Sequence, residues 1–396
     1  MFCEISYGFF QKKTLIVCFL FFCVFFFQLK LASAQELNTS AKAQVNSWST
    51  LNFSNPLEYQ IGARFIPEIG LEKSFPGIKI DGQFSFHTTG SLDYRKWKNT
   101  GSYEKFSPYR IWARISRPQW EVRLGLQKIN FGSATMLRPL MWFDRIDPRD
   151  PLQLTDGVYA LLVRYYFKNN ANIWIWGLAG NNKTKGWELI PSTVHHPEFG
   201  GRFQFPVPKG ETAVSFHSRT ANLAAFYKDT LSLDSETFCQ NRYAVDGKWD
   251  IGIGLWFEAS IEENKNAGDF GPMRYKHAFN LGLDYTFSIG NGLNTITEFL
   301  FFNQTDELFG NGQKAKISVF SANYPVSLFD RISAIIYYSW EDNSWYRFVS
   351  FQRTYDFWSF YLMGFWNPEQ LGLYNFNEEQ KLFSDKGIQI MAVYNF

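Results

Sequence analysis

The chain has 396 residues, with 39 Lys and Arg against 37 Asp and Glu, and its 42 Phe, 20 Tyr and 14 Trp coexist with a mean hydropathy of −0.24. A balance this close to neutral excludes a nucleic-acid binder working through a basic surface. Four cysteines, three of them in the first 23 residues, leave no room for a disulfide framework.

Lys12 and Lys13 precede an apolar run from Leu15 to Phe27, and Ala32-Ser33-Ala34 offers a small-x-small site before Gln35. Residues 1–34 are therefore expected to be a cleaved secretory signal, the run being shorter than the about 20 residues of a membrane-spanning helix. A lipoprotein signal is disfavoured, because Phe19 and Phe22 neighbour Cys18 and Cys23 where small residues belong. Cleavage would remove Lys12, Lys13, Lys30 and Glu4, leaving a formally neutral chain with Cys239 as its sole cysteine. Residues 35–396 read as one domain, since no linker or charge run divides them.

Segments alternating between apolar and polar residues then recur to the end of the chain. Strands are predicted near 43–53, 58–66, 77–88, 108–116, 119–127, 157–167, 171–180, 198–206 and 211–219. A second set follows near 240–246, 248–259, 275–287, 293–303, 315–323, 331–340, 345–353, 356–366 and 387–396. Compact connections with turn chemistry, at Phe75-Pro76-Gly77, Arg117-Pro118, Asn169-Asn170, Pro208-Lys209-Gly210, Asp246-Gly247 and Gly290-Asn291-Gly292, tend to alternate with longer polar ones. The longer set comprises 89–107, 128–156, 181–197, 220–239, 260–274, 304–314 and 367–386, with 54–57 and 341–344 as short exceptions. Interleaved strands of this length, without long apolar runs, predict an all-β, antiparallel, up-and-down transmembrane β-barrel of about 18 strands, with 16 as the alternative. A secreted β-sandwich or propeller would alternate too, but it fits this aromatic load poorly.

In 108–116, Tyr109, Ile111, Ala113 and Ile115 are expected to face lipid, with Arg110, Trp112, Arg114 and Ser116 facing the lumen. In the next strand Trp120, Val122, Leu124 and Leu126 oppose Glu121, Arg123, Gly125 and Gln127. Farther on, Phe279, Leu281, Leu283, Tyr285 and Phe287 oppose Asn280, Gly282, Asp284 and Thr286. A lipid-facing charge at the bilayer midplane costs about 2–4 kcal/mol, so the arginines belong inside.

The connection from Gly132 to Asp156 is too long and too specifically charged for an idle linker. It contains Asp144, Arg145, Asp147, Arg149 and Asp150 around Pro148 and Pro151. One reading folds it inward, where with Arg110, Arg114, Arg123, Arg164, Arg202 and Arg219 it forms a charged constriction. The other leaves it outside, closed by its own Asp–Arg pairs, with the strand arginines paired to Glu121, Asp250 and Glu258. Nothing points to an enzyme, since none of His87, His195, His196, His217 or His277 has a Ser two residues later, as the outer-membrane phospholipase family would require. His195-His196 has no Cys or spaced carboxylate to complete a metal site, and no cofactor motif is present.

The terminal strand Gly387–Phe396 puts Ile388, Ile390, Ala392, Tyr394 and Phe396 on one face. It resembles the sorting signal that ends many bacterial outer-membrane β-barrels, which implies recognition by barrel-assembly machinery and a setting among outer-membrane lipids. The run Arg123–Gly132 resembles a strand of porin-like and alginate-export-like barrels, and 132–156 falls where general porins insert a constriction loop. The resemblance implies a channel for small hydrophilic solutes in a Gram-negative outer membrane, with Trp112 and Trp256 placed either to stack on sugars, as in eighteen-stranded sugar porins, or to pack against a loop. Porins are commonly homotrimers, though no stretch here marks a subunit interface. The rival function is a closed barrel acting in adhesion or assembly through its loops at 181–197, 220–239 and 367–386.

Overall fold

The structure, a computed structural model, describes residues 37–53, 57–227, 237–265, 267, 271–368 and 383–396, so the expected leader lies outside the described residues. The first nine strands are β1 (Asn38–Asn52), β2 (Glu58–Phe75), β3 (Ile78–Arg95), β4 (Lys98–Arg117), β5 (Trp120–Gln127), β6 (Val158–Tyr166), β7 (Asn172–Leu178), β8 (Glu198–Val207) and β9 (Gly210–Asn222). A one-turn helix, α1 (Leu223–Phe226), follows β9. The second nine are β10 (Thr237–Asp250), β11 (Gly254–Lys265), β12 (Tyr275–Phe287), β13 (Leu293–Thr305), β14 (Gln313–Pro325), β15 (Asp330–Ser339), β16 (Ser344–Thr354), β17 (Trp358–Trp366) and β18 (Lys386–Asn395).

Each strand pairs antiparallel with its neighbours in sequence, and β1 closes on β18 from Gln44 opposite Asn395 to Asn52 opposite Gly387. The result is a closed 18-stranded barrel. Closure removes the unpaired edges that lipid would not tolerate, because every backbone group must find its partner within the wall. Alternation sets the two faces as expected: Phe279, Leu281 and Leu283 are exposed on the outside while Asn280 is fully buried inside. Leu281 sits near the middle of β12, so Leu281→Arg is expected to lower barrel stability by about 2–4 kcal/mol, read from urea unfolding of the refolded protein.

Four expectations are corrected. Residues 89–107 are not a loop, because β3 and β4 run on to a two-residue turn at Lys96-Trp97, both at positive φ (49° and 64°) as a hairpin turn of this hand needs. Asp246-Gly247 is not a turn but part of β10, and the chain reverses at 251–253 with Gly252 at φ 96°. Asp246 instead points into the barrel and binds Arg202. Tyr109 does not face lipid: the β3–β4 register slips between Ser85 and Phe86, leaving Tyr109 unpaired, and its ring lies 6.0 Å from that of lumen-side His87. Leu126, expected against lipid, is 5% exposed. The loops at 220–239, 260–274 and 367–386 lie partly outside the described residues.

Candidate functional site in the barrel lumen

The residues between β5 and β6 turn into the barrel and cross it. Ile129, Phe131, Leu140, Trp142 and Phe143 pack on Val158, Ala160, Leu162, Trp176 and Leu178, which line the lumen side of β6 and β7. Leu137 and Met141 reach the far wall, where they pack with Leu300, Ile317, Val319, Tyr337 and Tyr346 of β13 to β16. Leu152 lies against the cluster of Tyr361, Met363, Met391 and Val393 on β17 and β18. A segment with apolar contacts to walls this far apart divides the lumen.

Strand carboxylates hold its tip. Glu298 of β13 accepts N–H bonds from Thr135 at 2.7 Å, Met136 at 3.1 Å and Leu137, together with the Thr135 hydroxyl and Trp256 Nε1. Glu258 of β11 accepts from Ala134 N at 2.8 Å and Leu140 N at 3.0 Å. Asn280 donates to the Leu137 carbonyl, and Ser133 donates to Asp246. These carboxylates satisfy backbone donors that no helix or strand would serve in an irregular buried segment.

The charged residues singled out in this loop hold its shape. Arg138 binds Asp144 at 2.9 Å and Arg149 binds Asp147 at 2.7 Å, while Asp150 accepts from Leu152 N. Arg145 donates to the Thr184 hydroxyl at 2.8 Å. At the loop's far end, burial pushes the Asp156 carboxyl up, but Lys105 and Lys183 outweigh it and hold the group below the usual carboxylate range. The inward fold and the internal Asp–Arg pairing, set against each other in the sequence reading, thus occur together.

A second connection enters the lumen as well, correcting the expectation that 181–197 is an external loop. Lys185 binds Glu198 at 2.8 Å, and Glu188 takes Arg242 at 2.7 Å and Arg219 at 3.1 Å. Trp187 Nε1 donates to the Arg138 carbonyl, and Gly186 N donates to the Asp144 carbonyl, so the two loops brace each other. Gly186 has φ 45°, and a Cβ there would lie 1.7 Å from the Met141 carbonyl oxygen, which only glycine avoids.

The lumen-facing arginines do not form one constriction with the loop. Arg110 touches it, donating to the Thr155 carbonyl at 2.8 Å. Arg202 is bound to Asp246, and Arg219 belongs with Glu188 and Gln240. Arg114, four residues along β4 and therefore about 13 Å nearer the turn end, joins Arg123 and Arg164 around Asp81 and Glu121. Of the expected acidic partners, Glu121 serves arginines, Glu258 serves the loop, and Asp250 is exposed beside the turn, accepting from Gly252 N. Trp112 lies under guanidinium groups, and Trp256 is 1% exposed, too buried to stack on a solute. Glu298 was missed, although it is the only charged residue in β13.

No protein-family model matches the chain, and no curated protein matches it. Among solved structures it is similar to OccK5 (OpdH) of Pseudomonas aeruginosa, with a TM-score of 0.52 and 10% identity over 90% of this chain and 97% of that one. It is similar to OccAB4 of Acinetobacter baumannii, with a TM-score of 0.52 and 8% identity over 91% and 99%. A loop-deletion form of OmpT, an outer membrane protein of Vibrio cholerae, gives a TM-score of 0.50 and 10% identity over 91% and 100%. At such identities the likeness is one of fold: these barrels and this chain share an architecture.

Proposed function

We propose that the protein is a porin-like channel of a Gram-negative outer membrane, passing small hydrophilic solutes by diffusion. The observation that carries this reading is the segment 132–156, which crosses a wide, closed barrel and narrows it from within. Eighteen strands enclose more space than wall side chains alone can fill, and an apolar exterior with a charged interior suits lipid outside and water inside. The outer-membrane setting is in keeping with the OmpT likeness. Outer-membrane lipids and, through the terminal strand, barrel-assembly machinery are the partners this reading requires, and a homotrimer is its natural assembly. No catalytic step or cofactor enters it.

The rival reading is a sealed barrel that acts in adhesion or assembly, favoured by the dry packing of Leu137 and Met141 on the far wall. Swelling of liposomes carrying the refolded protein in graded sugars tests the channel. Swelling in the smallest sugars with a size cut-off is the expected result, and no swelling in any sugar would refute the channel in favour of the sealed barrel.

A further inference from the structure

Building on the channel reading, we propose that Arg123 is the centre of an oxyanion-binding station at the turn end of the lumen, taking the carboxylate or phosphate group of a passing solute. Three guanidinium groups, of Arg114, Arg123 and Arg164, meet two carboxylates, of Asp81 and Glu121, so the cluster carries one positive charge in excess. Arg114 grips Asp81 through Nε at 3.0 Å and Nη2 at 2.9 Å, and reaches Glu121 Oε2 through Nη1 at 3.1 Å. Arg164 takes the other oxygen, Glu121 Oε1, at 3.1 Å. Both acids are thereby engaged by the two outer arginines.

Arg123 is left over. Its nearest carboxylate oxygen is 3.9 Å away, outside hydrogen-bonding distance, and its buried Nε has no hydrogen-bond acceptor among the described residues. An enclosed charged donor without an acceptor is costly, more so between two like charges, and an anion removes that cost. The side chain is 16% exposed, so the lumen can reach it. Its orientation is set by the Trp112 ring, whose centre lies 4.7 Å from the guanidinium carbon and whose Nε1 donates to Gln83 at 2.9 Å. Beside it, Arg164 lies 3.7 Å from the centre of the Trp174 ring, whose Nε1 is a further buried donor without an acceptor. A planar guanidinium fixed against an indole offers two parallel N–H bonds, the geometry that carboxylate and phosphate share.

The test is calorimetric titration of the detergent-solubilised, full-length mature barrel with inorganic phosphate and, separately, with acetate at low ionic strength. The wild type is expected to bind at least one of them saturably at one site. Arg123→Met should weaken that binding at least tenfold, and Arg123→Lys should retain part of it, with heat-modifiable gel migration showing that each variant is folded. Absence of saturable binding in the wild type, or undiminished binding in Arg123→Met, overturns the station. A barrel that swells liposomes in sugars but binds neither anion loses the station alone, whereas one that binds through Arg123 but admits no sugar loses the channel reading.

Discussion

Replacing residues 139–151 by a short Gly-Ser linker is expected to raise single-channel conductance several-fold in planar bilayers and to raise the size limit in sugar swelling. The segment removed includes Leu140, Met141, Trp142 and Phe143, which fill the space between β6–β7 and β14–β16, and the Arg149 side chain that lies 5.4 Å over the Phe348 ring. It also removes the Asp144 carboxylate and carbonyl that Arg138 and Gly186 bind, so the 179–197 connection loses one of its two hydrogen bonds to this loop while keeping the other, from Trp187 Nε1 to the Arg138 carbonyl. The wall itself is untouched, since the segment contributes nothing to the strand pairing. Heat-modifiable migration should therefore persist. Unchanged conductance in a folded variant would mean that solutes do not pass beside this loop.

Glu298→Ala should produce the next largest change, without shortening the chain. Its carboxylate accepts three consecutive backbone N–H groups, the Thr135 hydroxyl and an indole N–H. Each buried donor left without an acceptor costs about 1–3 kcal/mol, so the loop tip gains more by leaving Glu298's place for water than by staying. The expected readout is a noisier, larger conductance together with faster proteolysis between 132 and 140. Glu298→Gln keeps one acceptor oxygen but turns a donor toward the loop amides, so it should fall between alanine and wild type. Wild-type conductance and protease resistance in Glu298→Ala would show that the apolar contacts of Leu137 and Leu140 suffice to hold the tip.

The wall of this barrel was legible before the structure because one physical rule, lipid on one side and water on the other, writes itself into every spanning strand. The predicted bounds of β12 coincide with those observed, and β13 differs by two residues at one end. Where that rule lapses, the reading failed. In 89–107 the buried positions Thr89 and Ser91 are small and polar, so the sequence shows little alternation of apolar with polar residues and looks like a loop although both strands run on. Asp246-Gly247 carries strong local turn chemistry, yet a carboxylate bound to Arg202 inside the barrel outweighs it.

The lumen was legible only in part. The length and charge of 132–156 marked it as unusual, and the strand arginines could be assigned to the inner face by the cost of placing them in lipid. Its path could not be read, because the groups that hold it are remote: Glu258 lies 124 residues from Ala134, and Glu298 lies 163 from Thr135. No local pattern encodes such a pairing, although a lone acid in a strand as apolar as β13 was a signal available in the sequence. The 181–197 connection gave less warning still, since Lys185 and Glu188 look like any solvated loop charges until Glu198, Arg219 and Arg242 are seen to face them.

An experimental density map of the detergent-solubilised barrel is the most direct examination of the claim that residues 132–156 partition the lumen. The account predicts continuous density from Gly132 to Asp156 inside the wall, with the amides of Thr135 to Leu137 against the Glu298 carboxylate. Density for this segment above the rim, over an empty bore, would contradict it.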